Sequence, residues 1–175
     1  MTSKNTSQPI LVPVDFSAHA EAALMYALDL AKKLEAPLTV MHVVHDLGEA
    51  PGYYSVKGRK KQLRRMEDVA ADMLSEFIQK MLEKCDANPL LEKAETMLVV
   101  GLPVSRILET AKKIDARMIV MGSQGRTGLA HVLLGSKAEQ LVRLSPLPVM
   151  IVKETSTSKE SSKDKEISKK KASSK

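Results

Sequence analysis

The chain has 175 residues, of which 43% are hydrophobic, 27% charged and only 3% aromatic, with no Trp. That length supports one domain with a core of Val, Ile, Leu, Met and Ala, and the scarcity of rings argues against a surface that stacks nucleic-acid bases. The net charge of +6 is uneven: residues 1–152 carry 19 Lys/Arg against 17 Asp/Glu and residues 153–175 carry 8 against 4, so the body is nearly neutral and whole-domain attraction of nucleic acid is not indicated.

Residues 1–8 are polar and are expected to be a flexible N-terminus without the apolar stretch of a signal peptide. Residues 10–14 form a short apolar run closed by Asp15, the pattern of a buried strand. Ser17 precedes an Ala- and Leu-rich stretch over 18–34, with Glu21 early and Lys32 and Lys33 late, which are helix start and stop signals. Pro37 is expected to break that helix, and 38–44 is a second β-branched run. Residues 46–56, with two Gly, one Pro and two Tyr, read as a loop. Residues 58–86 carry Leu63, Met66, Ala70, Met73, Leu74, Phe77 and Met81 at helical spacing, and Asn88-Pro89 is expected to end that helix.

A third strand is expected over 95–100, a helix from Pro103 to about 114, a fourth strand over 118–121 and a glycine-containing loop over 122–134. A last helix over 136–144 and a last strand over 149–152 complete the body. Strands alternating with helices imply right-handed crossovers and a parallel sheet. Apolar strands imply cover on both faces. The expected fold is therefore α/β: an open five-stranded parallel sheet with helices on both faces. The Ser-, Lys- and Glu-rich residues 154–175 cannot bury enough apolar area to offset their ordering entropy and are expected to be a disordered tail.

In such sheets the ligand crevice lies outside the carboxyl ends of the strands, where the strand order reverses. That directs attention to Pro13, Val14 and Asp15, to His42, Val43 and Val44, to Gly101, and to Met121, Gly122 and Ser123. After the fourth strand the chain reads Gly122, Gly125, then Gly135-Ser136, a G-x2-G-x9-G-S pattern. Glycines there can take backbone angles closed to other residues and leave room for a ligand, and their N–H groups can form an anion nest. Gly135-Ser136 falls where the last helix begins, at a dipole end that favours phosphate. A side chain at Gly122 or Gly135 is expected to block such a ligand with the fold intact.

These residues resemble the ATP-binding branch of the universal stress protein family. The resemblance runs from Ile10-Leu-Val-Pro-Val-Asp-Phe-Ser17 through Val40-Met-His-Val-Val44, Gly101-Leu-Pro103 and the glycine pattern to Ser145-Pro-Leu-Pro-Val-Met-Ile-Val152. It implies a Rossmann-like fold of the adenine nucleotide alpha hydrolase-like kind over residues 9–153, and ATP as ligand. Asp15 would contact ribose or adenine, Pro13 and Val14 would line the base, and Val43 would hold the adenine edge. Gly122, Gly125, Gly135 and Ser136 would wrap the phosphates, with Met121 packing nearby and Mg or Mn riding on the phosphates. The last strand would pair with its copy in a homodimer. Gln124 stands where the family often has His, and Arg117 where an acidic residue is common, which touches loop chemistry rather than the glycines.

The resemblance implies a nucleotide-dependent regulator in stress response; no Walker A lysine stands in a G-x4-G-K-[ST] setting and no base is placed to orient water, so at most slow ATP hydrolysis is expected. The alternative is a nucleotide-independent interaction protein using the basic residues Lys57, Arg59, Lys60, Lys61, Arg64 and Arg65 and the tail to hold another macromolecule. The four His match no zinc spacing and read as structural. The single Cys85 excludes an internal disulfide, and no apolar run is long enough to span a bilayer. The expected location is the cytoplasm.

Overall fold

A computed structural model describes residues 8–45, 59–125 and 134–154, with side chains from residue 65 onward in the second segment. The expected flexible N-terminus up to residue 7, the expected loop at 46–56 and the expected disordered tail from residue 155 lie outside the described residues, as do Lys57 of the basic cluster and the side chains of Arg59, Lys60, Lys61 and Arg64. Gln8, assigned to that N-terminus, donates through Nε2 to Asp115 at 2.9 Å.

The elements follow in the order β1 (Ile10–Pro13), α1 (Ala18–Leu34), β2 (Leu38–His45), α2 (Arg59–Lys84), α3 (Pro89–Glu92), β3 (Glu95–Gly101), α4 (Pro103–Lys113), β4 (Met118–Gly122), α5 (Ser136–Leu144) and β5 (Val149–Val152). The five strands form one sheet in the order β3-β2-β1-β4-β5, with every pairing parallel. The chain winds outward from β1 to β3, returns beside β1 with β4, and ends on the opposite edge with β5. The reversal falls between β1 and β4, where Ile10 stands beside Met118 and Leu11 beside Ile119.

Alternation along β1 divides the core. Ile10, Val12 and Val14 face one side, packing with α1, with Leu74, Phe77 and Met81 of α2, and with Leu91 of α3. Leu11 faces the other side with Met41 and Ile119, under Val104 and Ile107 of α4 and Leu141 of α5. Both faces are covered, as a parallel sheet of apolar strands requires.

Helix ends depart from the sequence reading in instructive ways. α1 closes before Pro37: Glu35 turns left-handed at φ 50° and its N–H bonds the Ala31 carbonyl. Asn88-Pro89 does not merely end α2. The Asn88 side chain accepts from Leu90 N–H and, with Pro89 at the first helical position, starts the four-residue α3. α2 itself stops at Lys84, and Asp86 and Ala87 both take φ 50°.

Glu21 ties α1 to α2. It is buried, and its carboxylate accepts from Lys80 and, at 2.9 Å, from Lys84. Burial works to raise its pKa, but the hydrogen bonds and charges of the two lysines outweigh it and hold the carboxyl below its ordinary value. A carboxyl lowered on folding stabilises the fold above its unfolded pKa and loses that contribution as pH falls through the lowered value. Glu21→Gln should therefore destabilise the fold near neutral pH by about 1 kcal/mol, and the gap from wild type should shrink below about pH 4. Thermal melts of both proteins across pH check this; a gap independent of pH contradicts it.

Candidate functional site

A cleft of about 490 Å³ opens at the carboxyl ends of β1, β2 and β4, a size usual for small-molecule sites. It lies at the reversal of strand order, the place an open α/β sheet reserves for a ligand. Pro13, Val14 and Asp15 line it from the end of β1, His42 and Val43 from β2, and Met121 and Gly122 from β4. Ser123, Gln124 and Gly125 continue the wall beyond β4, and Gly135, Ser136, Lys137 and Ala138 close it at the start of α5. The nine residues assigned to a nucleotide from the sequence thus line one cleft, whereas the strand-end residues Val44 and Gly101 do not. The intervening residues 126–133 lie outside the described ones.

The two helices that begin at the cleft do so differently. α1 is capped from within: Ser17 Oγ accepts from Ala20 N–H at 3.2 Å, while Asp15 Oδ1 accepts from the Ser17 hydroxyl at 2.6 Å and from its N–H at 3.2 Å. Asp15 is thereby part of a helix entry as well as of the cleft wall. α5 begins on Gly135, at φ −68° and ψ 150°, and this N-cap residue makes no side-chain cap hydrogen bond. The positive end of that helix and its amides open on the cleft, and an anion is the ligand that such an end accepts.

The glycines are small for a reason the sequence did not disclose. Among the described glycines only Gly101 has positive φ, at 140°. Gly122, Gly125 and Gly135 therefore do not use angles closed to other residues, contrary to the expectation from their spacing; they supply space. A Cβ on Gly122 would stand 2.8 Å from the His19 carbonyl carbon and 2.9 Å from its oxygen, so it is the backbone of α1 that comes close. A Cβ on Gly125 would meet Asp15 Oδ2 at 2.7 Å. At Gly135 the nearest atom is the Ser123 carbonyl oxygen at 3.3 Å, which also accepts from Gly135 N–H at 2.7 Å. That bond pins the start of α5 to the end of β4, and Ser123 N–H in turn bonds the Val152 carbonyl at 2.8 Å.

The side wall contains residues to which the sequence assigned no ligand role. His42, singled out as a strand end but given only a structural or surface role, lines the cleft, with Nδ1 2.8 Å from the Val14 carbonyl oxygen. A carbonyl only accepts, so Nδ1 carries the proton. Phe16, left-handed at φ 65°, stacks on the imidazole with centroids 4.3 Å apart and packs on Phe77 at 5.6 Å. A bulky residue at positive φ is strained by about 1–3 kcal/mol, and the ring stack and core contact oppose that strain. Pro103 and Ile107 of α4 add an apolar wall; the amphipathic pattern of 103–113 was the available signal. His19 lies outside the cleft, and its Nδ1 accepts from Glu154 N–H at 3.3 Å. Among the described residues no group of three or more His, Cys, Asp or Glu is placed to hold a metal ion. Among them, too, no helix is long and apolar enough to cross a membrane.

Fold and cleft together define a doubly wound α/β protein with a crevice at its switch point. The chain is 30% identical over 151 residues to universal stress protein MJ0531 of Methanocaldococcus jannaschii, across 86% of this chain and 85% of that relative. Among solved structures it is similar to the universal stress protein UspA from Lactobacillus plantarum, at 26% identity and TM-score 0.69 over 85% of this chain and 99% of that one. It is also similar to the universal stress protein from Archaeoglobus fulgidus in complex with dAMP, at 25% identity and TM-score 0.52, covering 84% and 98% of the two chains. The universal stress protein family profile matches residues 6–153. The chain belongs to the universal stress protein family.

Because the Gly122 neighbour is backbone, Gly122→Ala should destabilise the ligand-free protein by about 1–3 kcal/mol, which corrects the expectation of an intact fold. Gly135→Ala, where the contact is looser, should cost less. Urea unfolding without ligand ranks the two, and equal midpoints would contradict the packing role of Gly122.

Proposed function

We propose that this universal stress protein binds ATP in the switch-point cleft and acts as a nucleotide-dependent regulatory module in stress response. The observation that carries the reading is the start of α5 on Gly135, which supplies no side-chain cap, at the edge of a cleft of nucleotide size. The phosphates lie against Gly135 and Ser136, with Gly122 and Gly125 giving room along the strand end. The base lies toward Pro13, Val14 and Val43, whose walls are apolar, and Asp15 stands at the ribose. Met121 packs beneath. The complex of the Archaeoglobus fulgidus relative with dAMP supports an adenine nucleotide as the ligand class.

A divalent cation, Mg or Mn, rides on the phosphates in this reading rather than on a cluster of protein ligands. No step of catalysis is assigned: the described cleft offers one carboxylate, Asp15, and its Oδ1 already accepts two hydrogen bonds from Ser17. The regulatory output is a change of assembly or partner. β5 is an edge strand with half-buried residues, preceded by α5 with Val142 and Leu144 exposed. These features support a homodimer formed by pairing β5 with its copy.

Ligand at a hundred times its dissociation constant adds about 2.7 kcal/mol to stability, which for a domain of this size raises the melting temperature by about 5–10 °C. ATP with Mg should produce that shift, and nucleotide released from freshly purified protein should chromatograph as an adenine nucleotide. No shift and no released nucleotide would leave the interaction-protein reading in its place.

A further inference from the structure

Lys137 is the second residue of α5 and lines the cleft between Ser136 and Ala138. It is the one Lys or Arg among the described lining residues. Its position is unfavourable for the helix, because a cation in the first turn opposes the positive end of the dipole. No carboxylate among the described residues pairs with it. Glu139, the acid of that turn, is two positions away and so lies on another face of the helix. The carboxylate of the cleft, Asp15, belongs with Ser17 at the entry to α1. Among the described residues this exposed cation, set against a helix dipole and bordering a cleft, has no counter-charge, and an anionic ligand would supply one.

We propose that Lys137 determines which adenine nucleotide the cleft prefers, taking the terminal phosphates of a nucleoside triphosphate and favouring ATP over AMP. The inference rests on the adenine-nucleotide reading above and adds to it a specificity-determining residue. The main-chain amides at Ser136 and Ala138 suffice for a single phosphate. A triphosphate brings further negative charge to the same end of the cleft, and the long lysine stem carries a mobile ammonium to it. The charge is specific to this helix start: Gly135, Ser136 and Ala138 beside it are small and neutral.

The test is calorimetric titration of the full chain, Lys137→Gln and Lys137→Arg with AMP and with ATP, each with and without Mg. Lys137 is exposed, so both variants should keep the wild-type circular dichroism and melting temperature. Wild type should bind ATP more tightly than AMP. Lys137→Gln should weaken ATP about fivefold while leaving AMP within about twofold, the scale of one solvent-screened ion pair, and Lys137→Arg should restore the preference. A Lys137→Gln protein with the wild-type ratio of ATP to AMP affinity, or with both affinities lowered equally, would overturn the role of Lys137 alone. A wild-type chain that binds neither nucleotide would overturn the adenine-nucleotide reading and this inference together.

Discussion

The start of α5 at Gly135 has no side chain to cap it, and its N–H is bonded at 2.7 Å to the Ser123 carbonyl just beyond β4. One hydrogen bond thus fixes where the helix begins relative to the sheet, and the missing cap leaves the first-turn amides directed at the cleft. Both facts follow from glycine, which allows the close approach and offers no side-chain acceptor. α1 is the contrast within the same molecule. It also begins at the cleft, but Ser17 and Asp15 satisfy its first turn internally. In the proposed reading the phosphates therefore go to α5, and the face made by Pro13, Val14 and Val43 is left for the base.

Constraints of folding and of ligand binding coincide at the switch point. Gly122 is small because the α1 backbone passes against it, and Gly125 because the Asp15 carboxylate does. A glycine pattern that reads as a phosphate cradle is thus first a packing requirement, and the cradle is a consequence of how closely α1, β4 and α5 meet. Ser123 binds this junction to the sheet edge by donating to Val152, the last residue of β5. The start of α5 is thus one hydrogen-bonded residue away from the edge strand.

Much of this was legible in the sequence. Apolar strands alternating with amphipathic helices required a parallel sheet covered on both faces, and the sheet has five strands in the expected chain order. Strand ends and glycine spacing pointed to residues that, apart from Val44 and Gly101, line one cleft. What stayed hidden depended on distances between segments far apart in the chain. The reason for Gly122 lies at His19, and that for Gly125 lies at Asp15. His42 looked like an ordinary strand histidine because its partners, the Val14 carbonyl and the Phe16 ring, come from another strand end. α3 was missed because Asn88-Pro89 serves equally to stop one helix and to start another. Lys137 gave no signal until the first turn of α5 was seen to border the cleft.

Whether the first-turn amides of α5 hold the phosphates of an adenine nucleotide is read from titration of 15N-labelled protein with ATP and Mg. The account predicts that the amide resonances of Ser136, Lys137 and Ala138 move to saturation, while that of Ala20, already bonded to Ser17 Oγ, moves far less. Saturating shifts centred on the first turn of α1, with the α5 amides unmoved, would contradict it.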